Sequence, residues 1–411
     1  MNLSELKGLT AGVCVSGGLD SRTISKVMVE AGINVVAFSA DLGQPDEIDI
    51  NDIRTRMAPC GVDTFIIDLK EPMAEACFDV IKAQAMYDGG YWNSTGIARA
   101  VTVRGLIEEM RKHGCSVLAH GATGRGNDQM RFERYTNVLA PEMQVYAPWR
   151  DAGLLRKFPG RTEMVDYLAG FGIEAFAGSK KKYSTDSNLA GLSHEAEDLE
   201  SMQTSMLIVE PTMGVWPADA PDKIEKFTVR FDRGCAVQIN GSDVSPLDAM
   251  VQANAIGGRN GIGMKHALEN RIIGTKSRGV YESPGMELLA TCLRFVYQST
   301  MDRRATLLFG SLSRLVADQI YDGRWFDPAT RAACSAIDVF ADYASGTVEV
   351  GLYKGSIFFN ALADCKASIY NEADSSMEAS DGLNPVSSQG FAEIQSVEAR
   401  MLAEAGQIRS S

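Results

Sequence analysis

Residues Val13-Cys14-Val15-Ser16-Gly17-Gly18-Leu19-Asp20-Ser21 decide how the chain is read. Gly12 to Val15 is a short apolar run, the pattern of a buried parallel strand. Ser16-Gly17-Gly18 breaks it, and Ile24, Val27, Met28 and Ala31 follow at helical spacing. The glycines therefore stand between a strand and a helix N-terminus. Glycine takes positive φ and lets backbone come close to a ligand. The free N–H groups of a helix start, at the positive end of its dipole, favour an anion. Ser16 and Ser21 add hydroxyls. The loop has neither the Gly-Lys-Ser/Thr of a Walker loop nor the third glycine of the dinucleotide fingerprint. An ordinary strand–turn–helix junction uses the same residue types, so the rest of the chain has to decide.

At 411 residues the chain has room for two domains and a tail. Apolar residues make up 45% and charged residues 23%, the balance of a soluble globular protein. The net charge of −13 argues against a nucleic-acid partner, which needs a basic face. The eight cysteines include no Cys-x-x-Cys pair, which argues against a zinc knuckle or a dithiol redox site. Their scatter through apolar runs suits a reducing, cytoplasmic setting. No apolar run is long enough for a bilayer, and no membrane association is expected.

From residue 8 to 150 the pattern alternates strand and helix. Strands are expected at 34–40, 64–68 and 115–119, with another at 143–147. Helices are expected at 46–58 and 72–86 and around Val103, Leu106, Ile107 and Met110. Repeated βα units imply a parallel sheet covered on both faces, with ligands at the carboxyl ends of its strands. Those ends are Ser16, Ala40 and His120. After His120 comes a second glycine-rich loop, Gly121-Ala-Thr-Gly-Arg-Gly-Asn-Asp128. Asn127, Asp128 and Arg131 place an amide, a carboxylate and a guanidinium together, a set suited to a zwitterionic amino acid.

Beyond 150 the pattern changes. The lysine triplet 180–182 and the polar stretch Tyr183-Ser-Thr-Asp-Ser-Asn188 read as loop, the lysines being a solvated face or a counter-charge for a phosphate. Hairpins turn at Arg233-Gly234 and Lys354-Gly355, giving an α+β second domain. The charge-rich 269–282 region reads as a surface face more than as a site. Residues 371–390 read as an extended linker. Phe391, Ile394, Val397 and Met401 form the apolar side of a short helix, marginal alone and expected to pack on a neighbouring subunit.

Ser-Gly-Gly-Leu-Asp-Ser resembles the pyrophosphate loop of the ATP pyrophosphatases. With Ala40-Asp-Leu-Gly-Gln44, Gly124-Arg-Gly-Asn-Asp128, Tyr183 to Asn188, Ser193-His-Glu195, Glu269-Asn-Arg271, Lys276-Ser-Arg-Gly-Val-Tyr281 and Tyr321-Asp-Gly-Arg-Trp325, the chain is similar to the argininosuccinate synthases, bacterial branch. That resemblance implies an α/β parallel-sheet domain of the adenine nucleotide alpha hydrolase kind at 1–170. An α+β synthetase domain at 171–365 and a C-terminal helical arm at 366–411 would complete a homotetramer. It implies ligation of citrulline and aspartate through citrullyl-AMP, with ATP and Mg²⁺ as the substrate nucleotide and no tightly bound metal or organic cofactor.

Carried over by position, ATP is expected at Cys14, Val15, Ser16, Gly17, Gly18, Leu19, Asp20, Ser21, Ala40, Gly121, Thr123, Asp128 and Asp186. Aspartate is expected at Thr123, Asn127 and Asp128. Citrulline is expected at Tyr91, Asn127, Arg131, Ser184, Ser193, Glu195, Glu269 and Tyr281. Asp20 and Asp128 are the catalytic candidates. His120 and His194 are candidates by position alone for the base that deprotonates aspartate's amine. Arg22 stands where the family has serine, and is expected either to touch phosphate or to crowd the loop. Gly96 stands near Tyr91 where another branch has a citrulline-binding serine. The lysine triplet is more basic than the branch, and the tail is shorter. The rival readings are a paralogous AMP-forming ligase acting on another ureido or guanidino acid, a tRNA-thiolating enzyme, and a non-catalytic paralogue. Cysteine spacing and net charge speak against the second, and the retained polar set against the third.

Overall fold

The computed structural model describes residues 1–124, 126–174, 183–378 and 382–408. It divides into a unit spanning Met1–Ala367 and one spanning Ser368–Ser411. The lysine triplet 180–182 and Arg125 lie outside the described residues.

The first unit opens with β1 (Thr10–Cys14), α1 (Leu19–Glu30), β2 (Asn34–Asp41), α2 (Asp52–Met57) and β3 (Asp63–Asp68). Next come α3 (Lys70–Lys82), α4 (Ser94–Lys112), β4 (Val117–His120), α5 (Asp128–Leu139) and β5 (Gln144–Tyr146). The five strands form one parallel sheet in the order β3-β2-β1-β4-β5. Val13 pairs in register with Ala37 on one side and Ala119 on the other, and all three are buried. Helices cover both faces, which is why these strands read as apolar runs without alternation. The second helix is shorter than the 46–58 the sequence suggests.

Two short helices, α6 (Ala152–Lys157) and α7 (Arg161–Ala169), follow. The polar stretch after Tyr183 is strand β6 (Ser184–Asn188), not loop, and it pairs with β7 (Gly191–Glu195). Gly191 has φ of +151°, and a Cβ there would overlap the Glu282 carbonyl oxygen. The hairpin can turn this tightly only with glycine. Then come β8 (Glu225–Asp232), β9 (Cys235–Ile239), β10 (Ser242–Asp243), α8 (Pro246–Arg259), β11 (Met264–Asn270) and β12 (Lys276–Glu282). The unit closes with α9 (Pro284–Thr300), α10 (Arg303–Tyr321), α11 (Pro328–Ala341), β13 (Gly346–Tyr353) and β14 (Ser356–Ala363). Both expected hairpins are present, inside one antiparallel sheet of order β10-β9-β8-β13-β14. A third sheet, β11-β12-β7-β6, is also antiparallel. One continuous apolar core runs from Phe38 and Trp92 through Phe227 and Leu289 to Val350.

The second unit holds α12 (Glu372–Ser375) and α13 (Ser387–Glu404). The last helix begins a turn earlier than its apolar pattern suggests. Phe391, Ile394, Val397 and Met401 are all exposed on it. No helix among the described residues is long and apolar enough to cross a membrane.

Candidate active site

β2 and β3 lie on one side of β1, and β4 and β5 on the other. Such a reversal of strand order opens a crevice at the strand ends. Cys14 and His120 are register partners there, so the two glycine-rich loops leave the sheet side by side. A cavity of about 550 Å³ opens between them. Every residue expected at ATP lines it except Gly17 and Leu19. Leu19 turns its side chain into the core, leaving backbone for a ligand. Gly17 has φ of +73°, and a Cβ there would stand 3.0 Å from Arg56 Nε. The Ser16 N–H donates to Ser21 Oγ at 3.0 Å, which fixes the loop. Gly18 caps α1 without a side-chain bond, so no cap competes for the first N–H groups of that helix.

The floor of the cavity carries a charge cluster. Arg99, on α4, donates from Nε to Asp128 Oδ2 at 2.9 Å and from Nη2 to Asp186 Oδ2 at 2.6 Å. Arg131 Nη1 donates to the other Asp128 oxygen at 2.9 Å. Burial opposes ionisation of Asp128, but Arg99 and Arg131 together outweigh it and hold its carboxyl below the usual range. Asp186 goes the other way: burial raises it, and its single guanidinium only partly compensates. Burial likewise raises Asp20, with Arg161 opposing.

Beside this chamber lies a second pocket, built on one face of the sheet β11-β12-β7-β6. Side chains alternate faces along a strand and match across it. Ser184 pairs with Glu195, Asp186 with Ser193, Ser193 with Tyr281, and Tyr281 with Lys265. Glu269, four residues on from Lys265, has the same parity. Ser184, Asp186, Ser193, Glu195, Glu269 and Tyr281 therefore share a face. Tyr91 stacks on Tyr281 with centroids 4.4 Å apart and accepts the Thr95 N–H at 2.9 Å. Thr95 Oγ1 lies 3.0 Å from Ser193 Oγ. Glu195 faces Arg271 at 3.7 Å.

Tyr321 closes the pocket. It is fully buried, and its hydroxyl donates to Glu269 Oε2 at 2.7 Å and accepts from Asn127 Nδ2 at 2.9 Å. Its carbonyl accepts from Arg131 Nε at 2.9 Å. Arg131 Nη2 is buried with no partner among the described residues. Burial first, then the neighbouring Glu195, pushes the Glu269 carboxyl up to about 7, against the Tyr321 hydrogen bond and the Arg131 charge.

Both histidine candidates fall away from this chemistry. His194 has the opposite parity and lies on the back of the sheet. Its Nε2 meets Glu282 Oε1 at 2.8 Å and its Nδ1 meets Thr185 Oγ1 at 3.0 Å. His120 is fully buried and stacked on Phe132, and its Nδ1 accepts the Ala122 N–H. Burial, then Arg150, lowers its pKa to about 4, which leaves the ring neutral. Arg22 is buried, and its Nη1 donates to the Glu174 carbonyl at 2.6 Å. At Gly96 a Cβ would sit 3.1 Å from both Ile320 Cγ2 and Ile320 O. The glycine is there to let α10 close on α4.

Sequence reading missed Arg99, Thr95 and Tyr321 as site members. Tyr321 stood in a quoted motif with no role attached, and nothing local marks Arg99. A smaller cavity of about 340 Å³, beside Lys82, Arg104 and Arg331, is lined by none of the expected site residues.

Residues 11–174 match the family model described as the arginosuccinate synthase N-terminal HUP domain, and residues 183–402 match the arginosuccinate synthase C-terminal domain. The chain is 38% identical over 389 residues to the argininosuccinate synthase of Rhodopirellula baltica, covering 94% of this chain and 96% of that one. It is 36% identical over 392 residues to the Thermotoga sp. (strain RQ2) protein of the same name, covering 93% and 94%. It is 35% identical over 400 residues to that of Shewanella woodyi, covering 94% and 95%.

Proposed function

Since the chain belongs to the argininosuccinate synthase family, and so ligates citrulline to aspartate with ATP in arginine biosynthesis, we propose that the chamber between its glycine loops holds ATP and the pocket under Tyr321 holds citrulline. The observation that carries this reading is the shared wall. Asp128 lines the ATP chamber and is hydrogen-bonded to Arg131 of the second pocket.

The ureido carbonyl of citrulline is a poor electrophile, stabilised by two nitrogens. Its oxygen attacks the α-phosphorus, pyrophosphate leaves, and citrullyl-AMP forms. Aspartate's amine then attacks the ureido carbon, and AMP departs. For the first step the protein supplies alignment and charge. The Ser16–Ser21 loop and the start of α1 face the departing pyrophosphate. Arg131 and Asn127 offer donors to citrulline's carboxylate, and Glu195 and Glu269 offer acceptors to its ammonium. Ser193, Ser184 and the Tyr91–Tyr281 stack bound the ureido end. Aspartate lies at Thr123, Asn127 and Asp128. Asp20 and Asp128, which both line the chamber, are the carboxylates assigned to the reacting step.

Among the described residues, no three His, Cys, Asp or Glu side chains are grouped to hold a metal. Mg²⁺ brought in on the nucleotide keeps phosphate and water ligands and takes one or two carboxylates from the protein. Asp20 and Asp186 line the chamber and would supply them. Bound there, Mg²⁺ would screen the phosphate charge. We place the division between nucleotide and synthetase parts at residue 170 and the start of the arm at 366. We propose a homotetramer in the cytoplasm, supported by the exposed apolar row on α13 and by eight unbridged cysteines.

Pyrophosphate release from ATP tests the assignment, with citrulline and aspartate omitted in turn. Release that depends on citrulline is expected. Release indifferent to citrulline would remove it from the site.

A further inference from the structure

We infer that Tyr321 is a positioning residue that keeps the acidic and basic halves of the citrulline pocket from neutralising each other. The inference rests on the citrulline assignment above. A zwitterion needs a carboxylate and a guanidinium that are near each other and yet unpaired. Glu269 on β11 feels the charge of Arg131 on α5, and opposite charges this near pair unless a group stands between them. Tyr321 occupies the space between them. Its hydroxyl takes up Glu269 Oε2, and its carbonyl takes up Arg131 Nε. Asp128 takes up Arg131 Nη1. Among the described residues, Tyr321 takes up one Glu269 oxygen and leaves the other, and Arg131 Nη2 is buried without a partner. A buried donor without a partner is uncommon and costly, and points to a ligand that supplies the acceptor.

The same hydroxyl sets the polarity of Asn127. Its Nδ2 donates to Tyr321 at 2.9 Å, and its Oδ1 accepts the Ile272 N–H at 3.1 Å. The amide is therefore fixed with a second N–H that no described residue accepts, so Asn127 presents a donor beside Arg131. Both free groups on that side are donors, and the free group on Glu269 is an acceptor. That is the reading frame for an α-amino acid. Tyr321 is itself held rigidly. Its ring stacks on Tyr87 at 3.7 Å, meets the edge of Tyr91, and lies under the Arg131 guanidinium at 5.1 Å. As the last residue of α10, it adds that helix to a pocket whose other walls come from α4, α5 and the sheet β11-β12-β7-β6.

Tyr321→Phe in the full-length enzyme removes the hydroxyl and keeps the ring stack. The expected result is a rise of tenfold or more in the KM for citrulline. The KM for ATP should stay within twofold and kcat should change less than KM. The melting temperature without ligand, measured alongside, should stay near the parent's. A general loss of structure would raise both KM values together and lower that temperature, and this outcome would overturn the inference. So would an unchanged citrulline KM. Glu269→Gln separates the two levels of the argument. If Tyr321 acts through Glu269, adding Tyr321→Phe to Glu269→Gln multiplies the citrulline KM by less than in the parent. Equal multiplication in both backgrounds would overturn the positioning role while leaving the pocket assignment standing. A normal citrulline KM in Glu269→Gln alone would overturn the assignment and the inference with it.

Discussion

Arg99 and Asp186 meet at 2.6 Å, tying helix α4 to edge strand β6 across the floor of the ATP chamber. The same guanidinium holds Asp128, so one cation serves two carboxylates. Arg99→Ala leaves Asp186 facing the nucleotide's phosphates without its guanidinium and leaves Asp128 with Arg131 alone. Pyrophosphate formation should fall by about 10²-fold, the scale for losing one preorganised electrostatic group. Arg99→Lys should recover little, because a point charge cannot bridge both partners. Asp128→Ala should abolish citrulline-dependent pyrophosphate release. Full turnover in the Arg99 or the Asp128 variant would remove that residue from the reacting site.

Gly96→Ser adds the hydroxyl that another branch of the family carries, and the added group should harm the enzyme. The new Cβ would press on Ile320 at 3.1 Å, one residue from Tyr321. Overpacking of this kind costs about 1–3 kcal/mol. Citrulline KM should rise several-fold in steady-state assays. A lower KM would show that α10 has room to spare.

Glu269 makes citrulline capture depend on pH. Burial holds its carboxyl at about 7 in the ligand-free pocket. The groups facing it are Tyr321 from α10, Arg131 from α5, Glu195 from β7 and Asp88 from the turn before α4. Ionised Glu269 is the form that accepts an ammonium. The kcat/KM for citrulline should therefore rise with pH toward about 7 and level off above it. Glu269→Gln should flatten that limb. The stability effect runs the opposite way. The folded pKa is above the usual carboxylate value of 4.5, so the fold holds this proton more tightly than the unfolded chain does. This group's contribution to stability is full below about 4.5 and is lost as pH rises toward about 7. Urea titrations without citrulline, at both ends of that window, measure it.

His194→Ala should act on stability rather than on proton transfer. Among the described residues, it leaves buried Glu282 with the Thr212 and Met213 N–H donors alone. Losing a buried hydrogen bond to a charged group costs about 1.5–3 kcal/mol. The urea midpoint should drop accordingly, and the shape of the pH–rate profile should persist. An unchanged midpoint with a missing basic or acidic limb would restore His194 as a proton carrier.

The parallel sheet and its first loop were legible because burial on both faces writes apolar runs into the chain, and glycines punctuate them. The strand at Ser184–Asn188 was not. It is an edge strand, polar on both faces, so it shows no hydrophobic period. Its alternation is still present, since Ser184 and Asp186 share the face of Ser193 and Glu195, and pairing it with the Ser-His-Glu segment would have revealed it. The same period-two rule would have put His194 on the wrong side. Tyr321 was beyond reach for another reason. Its partner Asn127 is 194 residues away, and no local pattern reports a contact over that distance.

That separation also orders events in time. All five strands of the parallel sheet that carries the glycine loops precede residue 147, whereas the residue that completes the neighbouring pocket emerges much later. At about 5–20 residues per second of translation, Tyr321 follows Asn127 by roughly 10–40 s. During that interval the growing polypeptide carries a cradle for the energy source with no finished seat for the molecule to be activated.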